Sequence, residues 1–382
     1  MLKKYQLKHY SFPLVILLIA ICTIGALVVG SAEPSLQKKQ ILGICMGLVV
    51  MVIVSLVDYS FLLRFSWIFY VFSLVLLLAV RFFGDEVNGS RRWIDLKFIQ
   101  FQPSELCKIL LILFFAQYFM KHRKDINKFQ TIMQTIILMA LPLLLIFKQP
   151  DLSTTIVTAM ILATLFFISG LSYKVILPIL LIAIPSVFIF LGLVAQPDQQ
   201  IFTGDHEYQR MRIMAWLEPD KYAQTYAYQQ LNAVTAIGSG QLEGKGLNNT
   251  EVVSVKNGSF ISEAQTDFIF SIIGEELGFV GAAGVVILLM AIGVKCILIG
   301  RNAKDFAGRV ICTGMSVLIG YQSFINMGVA TMLLPNTGLP LPFVSYGLTS
   351  VVSLFIGMGL VLNVGLQQKK FERGMYTSWL LD

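Results

Sequence analysis

The chain has 382 residues, of which 56% are hydrophobic and 13% are charged, and its formal net charge is +7. Soluble domains carry about 25% charged residues, so this composition excludes an ordinary soluble protein. The basic excess does not indicate nucleic-acid binding, because the basic residues follow the membrane topology given below. The five cysteines and three histidines are scattered, which argues against a disulfide framework and against a histidine-based metal centre.

Ten apolar runs follow one another along the chain, and a helix that crosses the membrane hydrocarbon needs about 20 mostly apolar residues. We therefore predict an all-α membrane protein with about ten transmembrane helices, forming a single polytopic domain over residues 1–382. The runs lie near residues 12–30, 41–57, 66–83, 104–120, 131–147, 154–169, 175–195, 277–299, 310–332 and 346–365.

Lysine and arginine concentrate in alternate loops, as they do in the cytoplasmic segments of membrane proteins. With the N-terminus inside, the inner segments collect most of the basic residues and the short outer loops hold few. This pattern predicts a multi-pass protein of the bacterial cytoplasmic membrane with both termini in the cytoplasm. Residues 196–266, between the seventh and eighth spans, then form one large extracytoplasmic loop. A loop of that length usually carries function, with a solvated cap as the alternative.

The apolar run after this loop is too long for one span. Residues 268–299 would extend about 48 Å as a straight helix, whereas the hydrocarbon is about 30 Å thick. Glu275 and Glu276 also fall inside the run, where a charge facing lipid costs about 3 kcal/mol. We expect residues 267–276 to form an interfacial or re-entrant helix and the true span to begin near Leu277. Asp267 then lies at the outer mouth of the helix bundle.

Two pairs of charged residues stand out near the fourth span. Arg91 and Arg92 lie in an outer loop, against the positive-inside trend, which favours an anionic ligand. A solvated loop balanced by nearby acidic residues is the alternative. Glu105 and Lys108 stand at positions i and i+3 of one helix face, near the outer end of the span. Ionisable residues in a span usually face the bundle interior and pair, either for function or for structure alone.

Two carboxylates lie at helix starts on the outer face. Lys148 and Asp151 flank a proline-containing turn, in which Asp151 either meets a ligand or caps the next helix. Asp267 precedes the long apolar run and is a candidate general base. Apolar surroundings would raise its pKa, whereas the helix N-terminus would favour the ionised form. The alternative is that Asp267 only interacts favourably with that helix N-terminus and takes no part in catalysis.

The long loop contains basic residues close to glycine-rich turns. Arg210 and Arg212 precede turns at 238–240 and 244–246, and the second turn contains Lys245. Glycine turns beside basic side chains can cradle a phosphate. The spacing matches neither a P-loop nor a dinucleotide-binding fingerprint, so the glycines alone are weak evidence.

Together, these motifs resemble the SEDS family (shape, elongation, division and sporulation), the RodA/FtsW/SpoVE group of bacterial cell-wall polymerases, and most of all its RodA branch. The motifs occur in the order typical of the family and span about residues 85–365. They are NGSRRWIDL, FQPSELCK, QPDLSTT, YQRMR, AIGSGQLEGKGL, TDFIFSIIGEELGF and LPNTGLPLPFVSYG.

The resemblance implies a SEDS-type fold and a peptidoglycan glycosyltransferase. Such an enzyme polymerises lipid II, a disaccharide-pentapeptide on a polyprenyl pyrophosphate, outside the cytoplasmic membrane. The resemblance also implies a class B penicillin-binding transpeptidase as partner. Asp267 matches the essential aspartate of the family, and Glu105 and Lys108 match its functional pair. Ser345, in the last motif, is expected among the substrate-binding residues.

Four residues depart from the family pattern. Ser262 and Gln265 stand where the family usually has proline and histidine, and Ser153 and Leu348 each replace a glycine. Asp267 is kept, so we do not infer an inactive protein.

In the expected mechanism, Asp267 deprotonates the acceptor 4-hydroxyl, and cations stabilise the leaving polyprenyl pyrophosphate. Direct displacement would invert the anomeric centre. A divalent cation, Mg²⁺ or Mn²⁺, is the one cofactor considered, and a groove between spans would hold the lipid tail. Two alternatives stay open: a flippase for the lipid-linked precursor, which needs no base, and a non-catalytic scaffold for a transpeptidase. The expected pyrophosphate-binding cations are Arg91, Arg92, Arg210, Arg212 and Lys245.

Overall fold

The computed structural model describes residues 9–87, 90–95, 100–196, 207–249, 254–256, 258 and 260–368. This part of the chain forms thirteen α-helices and one three-stranded sheet. The helices are α1 (Phe12–Ala32), α2 (Pro34–Leu56), α3 (Tyr59–Leu63), α4 (Ser66–Phe83), α5 (Pro103–His122), α6 (Phe129–Phe147), α7 (Leu152–Ile168), α8 (Tyr173–Ala195), α9 (Glu207–Leu217), α10 (Tyr228–Ser239), α11 (Ile269–Arg301), α12 (Phe306–Ala330) and α13 (Leu348–Leu366).

Ten of these helices coincide with the ten apolar runs. Eight of them are at least 18 residues long and apolar enough to cross a membrane: α1, α2, α4, α5, α6, α11, α12 and α13. The apolar helix α7 has 17 residues, and the apolar helix α8 has 23. The prediction of a mostly α-helical, multi-pass membrane protein is confirmed, with eight candidate spans in the described part of the chain and the apolar helices α7 and α8 at the positions predicted for two more.

Three helices form the centre of the bundle. Most residues of α5, α12 and α13 are buried inside the protein, whereas most residues of α1, α2, α4, α6 and α11 are not. Helices that touch protein on all sides can hold polar side chains away from lipid. The central position of α5 therefore explains how Glu105 and Lys108 are accommodated in an apolar helix.

A small antiparallel sheet precedes α5, and the sequence pattern did not predict it. Its strands are β1 (Asp85–Val87), β2 (Ser90–Asp95) and β3 (Gln100–Phe101), in the order β1-β2-β3. Pro103 occupies the first turn of α5, and Gln102 before it is extended. Proline disfavours helical backbone at the preceding residue, so the helix cannot extend further back and the chain continues as strand.

The long helix α11 is broken, as the sequence predicted. Gly278 has φ 64° and ψ −165°, which is not helical, and this conformation is essentially restricted to glycine. The break lies one residue after Leu277 and separates a short helical piece from the long apolar helix that follows. Glu275 and Glu276 belong to the short piece and are buried.

One end of the bundle carries the longer connections. We call it the loop face, meaning the described parts of residues 85–101, 148–151, 207–268 and 331–347. Helices α9 and α10 lie within residues 207–268. Much of the described part of the predicted long loop is therefore helical. The residues predicted to carry chemistry come from these segments and from the adjoining ends of the spans.

Candidate active site

Asp267 lies directly before α11, against the loop that follows α12. A Cβ atom on Gly338 of that loop would lie 3.1 Å from Asp267 Oδ2 and 3.8 Å from Arg212 Nη1. Gly338 also has a φ of +71°, which glycine adopts without strain. The carboxylate of Asp267 and the guanidinium of Arg212 therefore both face Gly338, where a side chain would crowd the carboxylate.

The surroundings of Asp267 favour its protonated form. Burial raises the pKa of Asp267 to about 6, while Arg212 and Arg92 lower it and Glu263 and Asp151 raise it. The side chain keeps some solvent exposure, but protein surrounds most of the carboxyl, and the loss of water outweighs the attraction of the arginines. A carboxyl with this pKa is ionised at neutral pH and can still accept a proton, as a general base must.

Arg92 and Asp151 meet beside this site. Arg92 Nη1 lies 3.9 Å from Asp151 Oδ1, and Arg92 also donates a hydrogen bond to the carbonyl oxygen of Pro150. Asp151 is the N-cap of α7 and accepts hydrogen bonds from the Thr154 amide at 3.0 Å and the Thr154 hydroxyl at 2.9 Å. The capping role weighed for Asp151 is therefore confirmed, and the same carboxylate holds Arg92 close to the site.

Glu105 and Lys108 form the predicted interior pair. Lys108 Nζ lies 2.7 Å from Glu105 Oε1, and the two side chains are 1% and 2% exposed. Lys108 also donates to Gln322 Oε1 at 3.0 Å, and Ser350 donates to Glu105 Oε2 at 3.1 Å. Gln322 in turn donates to the carbonyl oxygen of Pro340 at 3.0 Å. The pair thus supports the loop that touches Asp267.

The glycine-rich turns have a different role from the predicted phosphate cradle. A Cβ atom on Gly240 would lie 1.9 Å from the carbonyl oxygen of Gly274, and one on Gly244 would lie 2.2 Å from that of Glu276. The turns pack directly on the backbone at the α11 break, and only glycine permits this approach. Lys245 Nζ lies 2.7 Å from Glu275 Oε1. Lys245 therefore neutralises a buried carboxylate, and the cradle interpretation is corrected.

Arg210 is separated from Arg212 by the geometry of α9. Arg210 donates to the carbonyl oxygens of Val194 at 3.2 Å and Gln196 at 3.0 Å, at the end of α8. Residues two apart on a helix do not share a face, so Arg210 caps α8 while Arg212 approaches Asp267. The structure therefore does not place Arg210 among the cations of the site.

Three further residues predicted to bind substrate, Ser345, Lys148 and Arg91, lie in three different environments. Ser345 is buried, donates to the carbonyl oxygen of Thr266 at 2.6 Å and accepts from the Leu341 amide at 2.7 Å. Its hydroxyl supports the backbone beside Asp267 and is not directed to a substrate. Lys148 is exposed at the end of α6. Arg91 lies in strand β2, and its side chain lies outside the described part of the structure.

A divalent cation would find few protein ligands in the described part of the chain. No group of three or more His, Cys, Asp or Glu side chains converges there in a metal-binding arrangement. Mg²⁺ commonly binds through one or two carboxylates together with substrate phosphates. The residues present fit only that mode, in which the substrate supplies most of the ligands.

Several buried polar residues that support the site were not predicted from the sequence. Gln322 and Asn326 lie four residues apart on α12 and are fully buried. Polar residues inside a span usually have a specific partner, and this signal could have identified both. Lys256 pairs with the buried Glu276 at 2.5 Å and donates to Ser31 Oγ at 2.9 Å. No sequence spacing indicates this pairing, because the partners come from three separate segments.

The site therefore combines one carboxylate with a raised pKa and two nearby arginines, Arg212 and Arg92. A base next to cations suits a reaction in which a hydroxyl loses its proton while negative charge develops on a leaving group. It also suits recognition of an anionic group without chemistry. The geometry of the site is compatible with both catalysis and anion recognition. The relatives of this chain distinguish the two roles.

The chain is similar to proteins of bacterial cell-wall synthesis along nearly its whole length. It is 32% identical over 376 residues to the peptidoglycan glycosyltransferase MrdB of Escherichia coli strain K12, covering 96% of each chain. It is 34% identical over 310 residues to the probable peptidoglycan glycosyltransferase FtsW of Haemophilus influenzae, covering 80% of this chain and 74% of that one.

Solved structures show the same fold. The Rod shape determining protein RodA of Thermus thermophilus superposes with a TM-score of 0.69 at 26% identity, covering 95% of this chain and 98% of the other. A chain of a peptidoglycan synthase complex, described for its structural coordination of polymerization and crosslinking, gives a TM-score of 0.78 at 27% identity and covers 95% and 99%. The match to the family described as cell cycle protein covers residues 2–370. The chain therefore belongs to the FtsW/RodA/SpoVE family.

Proposed function

We propose that this enzyme polymerises peptidoglycan glycan strands from lipid II, with Asp267 as the general base. The chain is a peptidoglycan glycosyltransferase, in line with its full-length relatives. The assignment of Asp267 as the base rests on one observation: the Asp267 carboxylate and the Arg212 guanidinium both face Gly338. It puts a carboxyl with a raised pKa next to a cation at the loop face.

The proposed reaction joins two lipid-linked saccharides. The 4-hydroxyl of the acceptor gives its proton to Asp267, and its oxygen forms a bond to the anomeric carbon of the donor. The bond between that carbon and the pyrophosphate oxygen breaks, and the electron pair leaves with the polyprenyl pyrophosphate. Displacement from the opposite side inverts the anomeric centre, which converts an α-linked donor into a β-linked strand.

Arg212 and Arg92 are the cations that we assign to the pyrophosphate. Arg212 Nη1 lies 3.5 Å from the carbonyl oxygen of Asn336, and Arg92 is held by Asp151. Guanidinium groups bind phosphate oxygens in a bidentate manner and stay charged at all relevant pH values. Preorganised cations stabilise the charge that grows on the leaving group. A bound divalent cation would add to this charge stabilisation and would rest mainly on the substrate phosphates.

We place the loop face on the outside of the cytoplasmic membrane. The opposite ends of the spans carry most of the basic residues, as cytoplasmic segments do. Among them are Arg64, Lys121, Arg123, Lys124, Lys128, Lys174, Arg301, Lys304 and Arg309. A polyprenyl tail requires an enzyme embedded in lipid, which supports a bundle of spans as the scaffold for this chemistry.

A class B penicillin-binding transpeptidase is the partner that we propose. The support is the similarity to a chain of a complex that coordinates polymerization and crosslinking. The similarity to the rod-shape protein supports a role in cell shape, and the match to the family described as cell cycle protein supports a role in division.

The test is polymer formation from purified lipid II by the wild type and by Asp267→Asn, each with and without the transpeptidase. The Asn side chain has the size of Asp but cannot accept the proton, so we expect lipid II binding without polymer. Glu263→Gln is the matched control, because Glu263 is an exposed carboxylate four residues away. Glu263 raises the pKa of Asp267, so its removal should shift the pH profile while polymer still forms at neutral pH.

Two results would contradict the proposal. Polymer from Asp267→Asn would remove Asp267 as the base. No polymer from the wild type, combined with movement of lipid II between vesicle leaflets by both proteins, would favour the flippase. The scaffold alternative predicts neither activity and an intact complex with the transpeptidase.

A further inference from the structure

Three consecutive carbonyl oxygens before α11 each accept a hydrogen bond from α12 or from the loop that follows it. Gln265 O accepts from the Tyr346 amide at 2.9 Å, and Thr266 O accepts from the Ser345 hydroxyl at 2.6 Å. Asp267 O accepts from Asn326 Nδ2 at 2.8 Å. These bonds hold the backbone that carries Asp267, and the last of them acts at Asp267 itself.

Asn326 makes a second bond that joins two parts of the site. The same nitrogen donates to the carbonyl oxygen of Leu339 at 2.7 Å, and Leu339 follows Gly338, the residue that contacts Asp267 and Arg212. Asn326 is 1% exposed. Both neighbours of its nitrogen are carbonyl acceptors, so only one orientation of the amide satisfies the contacts. One buried side chain thus ties the backbone of Asp267 to the residue that follows Gly338, the glycine that its carboxylate faces.

We propose that Asn326 is a positioning residue for glycan polymerisation: its amide fixes Asp267 against Gly338 and Arg212, in the geometry that proton transfer requires. The inference rests on the proposed role of Asp267 as the base. Asn326 reaches backbone atoms only, so it acts through Asp267 and not on the substrate. A base displaced by about 1 Å can lose about 100-fold in rate, and a single amide that holds two carbonyls can control such a displacement.

The charges around Asp267 make its position measurable. Arg212 of α9 and Arg92 of β2 lower the pKa of Asp267, whereas Asp151 at the start of α7 and Glu263 of its own loop raise it. A displacement of the carboxyl changes these distances and the burial of the group. The pH at which polymerisation is half-maximal therefore reports the placement of Asp267, independently of how much folded protein is present.

The molecule contains a matched control for Asn326. Gln230 of α10 is also fully buried, and its Nε2 donates to the carbonyl oxygens of Val329 at 3.0 Å and Leu334 at 2.9 Å. Each of the two amides thus bridges two carbonyls, one of which belongs to the loop that follows α12. In the described part of the chain, the side-chain oxygens of both amides are buried without a hydrogen-bond partner. Only Asn326 reaches Asp267.

The experiment compares Asn326→Asp with Gln230→Glu in the full-length enzyme, with lipid II as substrate. Each change replaces an amide nitrogen that faces two carbonyl oxygens with a carboxyl oxygen. Because Asn326→Asp also adds a titratable group near Asp267, the neutral variants Asn326→Leu and Gln230→Met are measured in parallel, and a shifted pH profile supports the proposal only where Asn326→Leu shows it too. We expect Asn326→Asp to lose about 100-fold in kcat, to keep the KM for lipid II and to shift the lower limb of its pH profile. We expect Gln230→Glu to keep the wild-type pH profile and most of the kcat.

Thermal unfolding and lipid II binding are measured for every variant. If Asn326→Asp does not fold, Asn326→Ser takes its place, because its hydroxyl can still donate to one of the two carbonyls, and the same separation of kcat from KM is expected. Wild-type kcat in the variant at position 326, or equal losses and an unshifted pH profile in both variants, would overturn the proposal. Polymerisation by Asp267→Asn would instead refute the proposed base, so the two failures are distinguishable.

Discussion

Replacement of Gly278 by alanine tests whether the break in α11 is a requirement of the fold. The backbone at Gly278 has φ 64° and ψ −165°, a region that costs a residue with a side chain about 1–3 kcal/mol. A Cβ atom there would lie 2.3 Å from the Gly244 amide nitrogen and 2.6 Å from the carbonyl oxygen of Leu242. Both contacts are with backbone atoms, so no side-chain rotation can relieve them.

The loop must therefore move, and it is held by hydrogen bonds across the break. The amides of Phe279 and Val280 donate to the carbonyls of Gln241 and Leu242 at 2.8 Å and 3.2 Å. Loss of these two bonds, at about 1 kcal/mol each, adds to the conformational cost. We expect Gly278→Ala to lower the free energy of unfolding by about 3–5 kcal/mol and to abolish polymerisation, because Asp267 precedes the displaced helix.

Gly284→Ala on the same helix is the control. A Cβ atom at Gly284 would meet nothing within 4 Å, and alanine in a helix interior is more stable than glycine by about 0.5–1 kcal/mol. The two variants make the same chemical change, and we expect opposite signs in unfolding measured in mixed micelles. Equal stability and activity of Gly278→Ala and the wild type would refute the argument that the break requires glycine.

Two further predictions concern the charged groups. Burial raises the pKa of Asp267 to about 6, so the base becomes protonated as the pH falls below that value. The rate of polymerisation should then fall about tenfold per pH unit below about pH 6 and level off above it. A pH-independent rate down to about pH 5 would contradict this assignment. Glu105 and Lys108 form a buried pair, so Glu105→Gln should lower the free energy of unfolding by about 3–5 kcal/mol, because it leaves a buried charge without its partner. The double variant Glu105→Gln/Lys108→Met should be more stable than Glu105→Gln. Additive losses in a double-mutant cycle would show that the pair is not coupled.

The ten spans, the break in α11 and the Glu105–Lys108 pair could all be predicted because each depends on a short stretch of chain. A run of about 20 apolar residues is sufficient to cross the hydrocarbon, and two glutamates within such a run require a break or buried partners. The pair at i and i+3 follows from helix geometry alone. Motif order favoured Asp267 as the proposed base, whereas local chemistry left it undecided between a base and a helix-start residue.

The placements that differed from expectation depend on contacts between distant segments. Arg210 and Lys245 are basic residues in motifs, yet Arg210 caps α8 and Lys245 neutralises Glu275. A basic side chain binds whichever acceptor the fold brings near it, and spacing along the chain carries no information on that. The spacing of Arg210 and Arg212 could have predicted that only one of them reaches the site, because residues two apart on a helix face different sides.

The sequence by itself therefore determined that the protein crosses the membrane and where its apolar helices lie. Hydrophobic burial and helix geometry act over one or two turns, and these properties need nothing further. Only the tertiary structure decided which cations surround Asp267 and which amide holds it. Arg212, Gly338 and Asn326 come from a loop helix, a loop and a span that are more than 50 residues from Asp267 in the chain, and they meet it only because the folded bundle packs these segments together.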